Sequence, residues 1–207
     1  MSTLKEKTAK GLGWGFVDNF VGAGVTAVVS ILLARILSPE EFGLIGMITI
    51  FISLGASLMD SGFSGALIRK KGASDKDFST VFYTNLLLSI VIYALLFALA
   101  PSIAGFLDNE ILSDLIRVLG LSVIIISFTQ VQKVIFIRKI DFKTQAIISL
   151  SASLVSGVVS IWMALKGFGV WSLVVQQLSK QAVVSLLMWV FSSWKPSFTF
   201  SISSFKE

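Results

Sequence analysis

Residues 146–165 read AIISLSASLVSGVVSIWMAL and carry no charge. A helix needs roughly 20 such residues to cross a hydrocarbon core of about 30 Å, so this stretch reads as a membrane span. Working outward, comparable runs lie at about 12–34, 42–68, 81–107, 112–132 and 170–191. Turn-forming residues separate them: Ser38-Pro39-Glu40-Glu41, Lys70-Lys71-Gly72, Asp108-Asn109-Glu110 and Lys166-Gly167. The runs are continuous rather than alternating, which argues against a transmembrane barrel. The gaps are too short for a folded extramembrane module. The expectation is an all-α integral membrane protein: a six-transmembrane-helix bundle over 12–191, between an N-terminal segment 1–11 and a tail 192–207.

Composition agrees with this. Of 207 residues, 55% are hydrophobic and 14% charged, with mean hydropathy +0.87, whereas soluble domains carry about 25% charged residues. There is no Cys and no His. That removes disulfides, thiolate nucleophiles, Cys/His zinc sites, Ser-His-Asp triads and histidine proton relays. Gly11-Leu12-Gly13-Trp14-Gly15 opens a span rather than following a strand, so it is no dinucleotide fingerprint, and no Walker sequence occurs. The expectation is a protein that is not an enzyme and uses no cofactor or metal. Lys5, Lys7 and Lys10 precede the first apolar run as in a secretion signal. That run is too long, contains Asp18 and Asn19, and ends in Ala34-Arg35-Ile36-Leu37 rather than a small-x-small cleavage site.

The net charge of +5 matters less than its distribution. With six crossings, one side collects Lys5, Lys7, Lys10, Arg69, Lys70, Lys71, Lys76, Lys133, Arg138, Lys139, Lys143, Lys195 and Lys206. The other collects Arg35, Arg117 and Lys166. Basic loops are retained in the cytoplasm during insertion, which places both termini there. Insertion topology accounts for these charges, so nucleic acid is not an expected partner; the lipid bilayer is. Trp162, Trp171, Trp189 and Trp194 fall near span ends, where an interfacial belt is the default expectation.

Polar residues within the spans recur at helical spacing: Asp18, Gly22, Thr26, Ser30 and Ala34 in the first, and Gly46, Thr49, Ser53, Ser57, Asp60 and Ser64 in the second. The fifth has Ser149, Ser153, Ser156 and Ser160, the sixth Ser172, Gln176 and Lys180, the third Asn85, Ser89 and Tyr93. For small residues, close helix packing is the favoured explanation. Asp18, Asp60 and Lys180 demand more, because a charge at the bilayer centre costs roughly 2.5–3.5 kcal/mol. Such groups face a bundle interior or a wet cavity, pair with one another or, for carboxylates, take up a proton. At about 1.5 Å per residue, Asp18 and Asp60 lie roughly 9 and 12 Å from the basic side, and Lys180 lies near the midplane. Gln176, Gln177 and Gln181 crowd Lys180 on its own helix.

The order of motifs resembles a known family. Leu33-Ala34-Arg35-Ile36-Leu37-Ser38-Pro39-Glu40-Glu41-Phe42-Gly43 and Asp60-Ser61-Gly62-Phe63-Ser64-Gly65-Ala66-Leu67-Ile68 are similar to the first two helices of polysaccharide and lipopolysaccharide biosynthesis transporters. Arg138-Lys139-Ile140-Asp141-Phe142-Lys143, Gly167-Phe168-Gly169-Val170-Trp171-Ser172-Leu173-Val174 and Trp194-Lys195-Pro196-Ser197-Phe198 continue the resemblance. These transporters form the O-antigen and colanic-acid exporter branch of the multidrug, oligosaccharidyl-lipid and polysaccharide exporter superfamily. The resemblance implies a flippase in the bacterial inner membrane that moves a polyprenyl-pyrophosphate-linked oligosaccharide by alternating access between two lobes. One lobe is present in these 207 residues, so a second lobe or a second copy is an implied partner.

For such a cargo, Lys180 is expected to attract the pyrophosphate, with Gln176, Ser172 and Asn85 hydrogen-bonding sugar hydroxyls. Arg35 is expected to hold the headgroup on exit or, more simply, to pair with Glu40 or Glu41. Asp18 and Asp60 are expected to gate the path or to carry a coupling proton. Two alternatives stay open: a drug or cation antiporter of the same superfamily, and a non-transporting scaffold subunit whose polar stripes only pack helices.

Overall fold

A computed structural model describes the backbone at residues 4–60, 63–70 and 72–197, and side chains at 14, 20–59, 63–70 and 72–197. Every regular element among the described residues is helical: α1 (Leu4–Ala34), α2 (Pro39–Asp60), α3 (Phe63–Arg69), α4 (Asp75–Phe106), α5 (Ile111–Arg138), α6 (Phe142–Leu165) and α7 (Trp171–Phe191). Five of them, α2, α4, α5, α6 and α7, are long and apolar enough to cross a membrane. α1 has 31 residues, about 46 Å at 1.5 Å per residue, and Phe20–Ala34 is its apolar described part. The chain is an all-α membrane bundle.

Several helix boundaries differ from the sequence reading. Residues 4–11 belong to α1 instead of preceding it, because Lys, Glu and Ala sustain a helix while adding nothing to hydropathy. The run 42–68 divides into α2 and α3; it is apolar throughout, and hydropathy does not register where a helix stops. α5 continues six residues past 132 to Arg138, its basic last turn lying beyond what hydrocarbon requires.

Local chemistry fixes the ends. Ser38-Pro39-Glu40-Glu41 starts α2 with Pro at the first helical position. The Ser38 N–H donates to Glu41 Oε2 at 2.8 Å and the Glu41 N–H to Ser38 Oγ at 3.4 Å, a reciprocal box. Ser74 and Asp77 form the same box at α4, and Asp141 caps α6 by accepting from the Thr144 N–H at 3.2 Å. α6 ends at Gly167, whose φ of +80° lets Phe168 N–H reach back to the Met163 carbonyl at 3.2 Å.

α7 lies between α5 and α6. α1 packs on α6, whereas α2 packs on α4 and α5. Two helices joined by only four residues (35–38) therefore pack on different partners. The larger apolar core gathers Leu33, Ile48, Leu112, Leu115, Ile116, Leu119, Val123 and Val174. A second core at the basic end holds Leu67, Phe78, Phe82, Val131, Val134 and Ile135. There Arg138 reaches from α5 to the last carbonyls of α3, donating to Leu67 O and, at 2.9 Å, to Lys70 O. A guanidinium suits this, since it offers several donors to carbonyls that a helix end leaves orphaned.

At this end two of the span-end tryptophans pack into the bundle. Trp189 Nε1–H donates to Phe128 O at 3.1 Å, and Trp194 stacks edge-on against Phe78 and Phe82, each at 6.1 Å between centroids. Aromatic edge-to-face contacts hold both rings within the bundle, and the segment after α7 folds back until the Ser197 N–H meets Ser79 Oγ at 3.0 Å. Trp162 remains exposed.

The α1–α6 contact is close. A Cβ added at Gly157 would stand 2.6 Å from Val29 Cγ2, and a β-branched valine has little rotamer freedom in a helix with which to yield. Gly157→Ala is expected to lower stability by about 1–3 kcal/mol. Adding Val29→Ala should restore most of that loss, as read by thermal unfolding in detergent; equal stability of Gly157→Ala and wild type would refute the contact.

Candidate functional site

Along α7, every residue from 175 to 185 is half-buried. A helix packed dry on one side and bathed in lipid on the other would alternate between buried and exposed. This middle section instead faces hollows on more than one side, and Lys180 stands in the middle of it.

The first hollow, of about 300 Å³, is walled by all four surrounding helices: Thr26, Val29 and Ser30 of α1, Phe42 and Ile45 of α2, Ser153 and Ser156 of α6, and Leu173, Gln176, Gln177 and Lys180 of α7. A second and more open one, of about 530 Å³, lies beside it and shares Thr26, Ser30 and Lys180, adding Gly22, Ala23, Ala27 and Ser149. The hollow exists because α1 and α2 pack on different partners, so the space between them over α7 is left open. Lys180 Nζ donates to Thr26 Oγ1 at 3.3 Å, and that hydroxyl donates in turn to Gly22 O at 2.9 Å. An ammonium has three donors; no second hydrogen-bond partner for it occurs among the described residues. The described wall brings one positive charge and no carboxylate.

The structure brings Lys180 and Gln176 together in this hollow and leaves the other expected residues elsewhere. Ser172 is fully buried one turn before Gln176, with its Oγ unpartnered among the described residues, outside the lining. The turn of α7 that carries it already lies under the apolar core, where Leu173 and Val174 pack. Asn85 is fully buried on α4, one turn from Ser89, whose Oγ donates to Ser127 Oγ of α5 at 3.1 Å. α4 packs on α5 and α2, so Asn85 cannot reach α7's hollow. Asn85 and Gln132 both keep buried amides without partners among the described residues.

Arg35 is exposed in the α1–α2 loop, and its expected ion pair with Glu40 or Glu41 is absent among the described residues. Glu41 is committed to the Ser38 backbone and lies against Gly169 at the start of α7. The side chains of Asp18 and Asp60 lie outside the described residues.

The small-residue stripes part company. Those of α1 and α6 supply the hydroxyls of the hollow. The α2 stripe Gly46, Thr49, Ser53 and Ser57 is exposed, with Thr49 and Ser53 donating to carbonyls of their own helix. Gln177, Thr26 and Ser30 join the site although the sequence offered only their spacing relative to Lys180 and Asp18 as a signal.

The chain is naturally free of cysteine, so single replacements test this geometry without background. Ser30→Cys and Gln177→Cys are expected to react with a small water-soluble methanethiosulfonate at least tenfold faster than Ser172→Cys or Ser160→Cys. Equal rates would mean that the hollow is dry.

Comparison with known proteins accords with this architecture. The chain is 27% identical over 201 residues to the succinoglycan biosynthesis transport protein ExoT of Rhizobium meliloti, covering 97% of this chain and 41% of that protein. It is 28% identical over 204 residues to the lipopolysaccharide biosynthesis protein WzxC of Escherichia coli (98% and 42%). With the teichuronic acid biosynthesis protein TuaB of Bacillus subtilis it shares 26% over 210 residues (100% and 43%). The chain thus spans about two-fifths of the length of these relatives. No solved structure matches it significantly. Residues 32–207 match the polysaccharide biosynthesis protein family, and the chain belongs to that family.

Proposed function

We propose that this chain forms one lobe of an exporter that flips a polyprenyl-pyrophosphate-linked oligosaccharide across the bacterial inner membrane, with its basic end and both termini cytoplasmic. Lys180 carries the reading: an ammonium in mid-helix, in a hollow whose other polar walls are amides and hydroxyls. The oligosaccharide head of such a lipid presents hydroxyls and a pyrophosphate anion, and the tail stays in the bilayer while the head crosses. Gln176 and Gln177 offer both donors and acceptors to sugar hydroxyls, and the ammonium attracts the anion. A second lobe facing the hollow completes the passage, and rocking of the two lobes alternates access. Arg35, exposed at the opposite end, stands where an anionic head would leave.

The same geometry disfavours a cationic drug as cargo. Two unit charges of like sign 5 Å apart repel by about 3 kcal/mol at an effective dielectric of 20, more than a hundredfold in occupancy. A scaffold whose stripes only pack helices would leave no hollow beside Lys180.

Lys180→Ala in the native host, at unchanged membrane abundance, is expected to cut surface polysaccharide at least tenfold and to accumulate lipid-linked oligosaccharide on the inner leaflet. Lys180→Arg should retain most export. Full export by Lys180→Ala would refute the proposal.

A further inference from the structure

A third cavity, of about 280 Å³, lies closer to the basic end between α5, α6 and α7. Its polar lining is Thr129, Gln130, Lys133, Gln145, Ser149 and Gln181. It is a built site rather than a surface dimple. Gln145 is nine-tenths buried, and its Nε2 donor has no partner among the described residues. Thr129, equally buried, has turned its hydroxyl proton onto the Ile126 carbonyl at 2.7 Å, which leaves the oxygen's lone pairs for a donor. Lys133 makes no ion pair among the described residues and is exposed. Among the described residues the wall thus offers an ammonium, side-chain amides and hydroxyls, with no carboxylate. One cation without an ion-pair partner among the described residues, beside several neutral donors, suits a phosphate-class anion with hydroxyls attached.

The cavity also adjoins the more open of the two Lys180 hollows. Ser149 lines both this cavity and the more open hollow of Lys180, and Gln181 follows Lys180 directly on α7. Measured along their own helices from the basic end, Lys133 lies about 8 Å in and Lys180 about 16 Å in. The two ammoniums are therefore staggered in depth along a polar track, with Ser149 of α6 between them.

We propose that this cavity is a second anion-binding station, which receives the pyrophosphate-linked sugar head of a membrane lipid on the basic side and passes it to Lys180. Lys133 supplies the charge, and Gln145, Gln130 and Gln181 supply hydrogen bonds. Two stations that divide the cargo's charge along the track let the head advance by steps without being held too tightly at either. This inference rests on the export reading above.

The test uses the full chain in nanodiscs and two reporters: Val184→Cys, which lines this cavity, and Ser30→Cys, which lines the Lys180 hollows. A neutral methanethiosulfonate modifies the thiols, and the probes are inorganic pyrophosphate and geranyl pyrophosphate. Both probes are expected to slow Val184→Cys modification at least fivefold. That protection should vanish in Lys133→Gln, weaken in Gln145→Leu, and persist in both Lys133→Arg and Lys180→Gln.

No protection at Val184→Cys, or protection indifferent to Lys133→Gln, overturns the station. If Ser30→Cys is then still protected in a Lys180-dependent manner, the export reading stands. Protection at Val184→Cys with none at Ser30→Cys upholds the station and counts against the Lys180 role. Protection by inorganic pyrophosphate alone overturns assignment to a lipid-borne head.

Discussion

An ammonium cannot be left among acyl chains, and the arrangement of this bundle follows from where Lys180 must go. A charge at mid-bilayer opposes insertion by roughly 2.5–3.5 kcal/mol, comparable to the burial of one or two large apolar side chains. The bundle meets that cost by giving α7 neighbours on two sides, α5 and α6, and by turning Lys180 to the Thr26 hydroxyl of α1. Thr26 accepts well because its own proton is occupied by Gly22 O. The rest of α7's middle section stays half-buried as a consequence, since a solvated ammonium and a close-packed helix face exclude each other.

Apolar packing is distributed around that constraint. The large core, built on Leu112, Leu115, Ile116 and Leu119 of α5 with Ile48 of α2 and Val174 of α7, locks the end opposite the basic loops. The aromatic cluster of Phe78, Phe82, Phe128, Trp189 and Trp194 locks the basic end. Between the two, serines, glutamines and the Gly157–Val29 contact replace large side chains. Rigid ends with a polar middle are what the export proposed above would require of a lobe.

The candidate site was legible only in part, and the division has a physical cause. Lys180 and Gln176 stood out because a charge and an amide on an otherwise apolar helix are costly anywhere but a cavity. Thr26, Ser30, Ser153 and Ser156 did not, because a hydroxyl on a membrane helix is satisfied equally by its own i−4 carbonyl, by a neighbouring helix or by water. Thr49 illustrates the first outcome and Ser89 the second. Asn85 misled for the opposite reason. It is as polar as Gln176 and on an equally regular stripe, but α4 turns it toward α5 rather than into the hollow. Arg35 misled because Glu41 had a stronger local claim on its carboxylate, the capping of α2.

By itself the sequence determined that the chain lies in a membrane, that its elements are helices and roughly where they run. Each of these depends on transfer free energy summed over about 20 consecutive residues, a property that needs no neighbour. Caps such as Ser38-Pro39-Glu40-Glu41 and Asp141 were likewise local. Only the tertiary structure decided that α1 would pack on α6 and α2 on α4 and α5, and hence that a hollow would open over Lys180. Helix pairing in a bilayer rests on close packing and a few hydrogen bonds between surfaces far apart in the chain, and no run of hydropathy encodes which surfaces will meet.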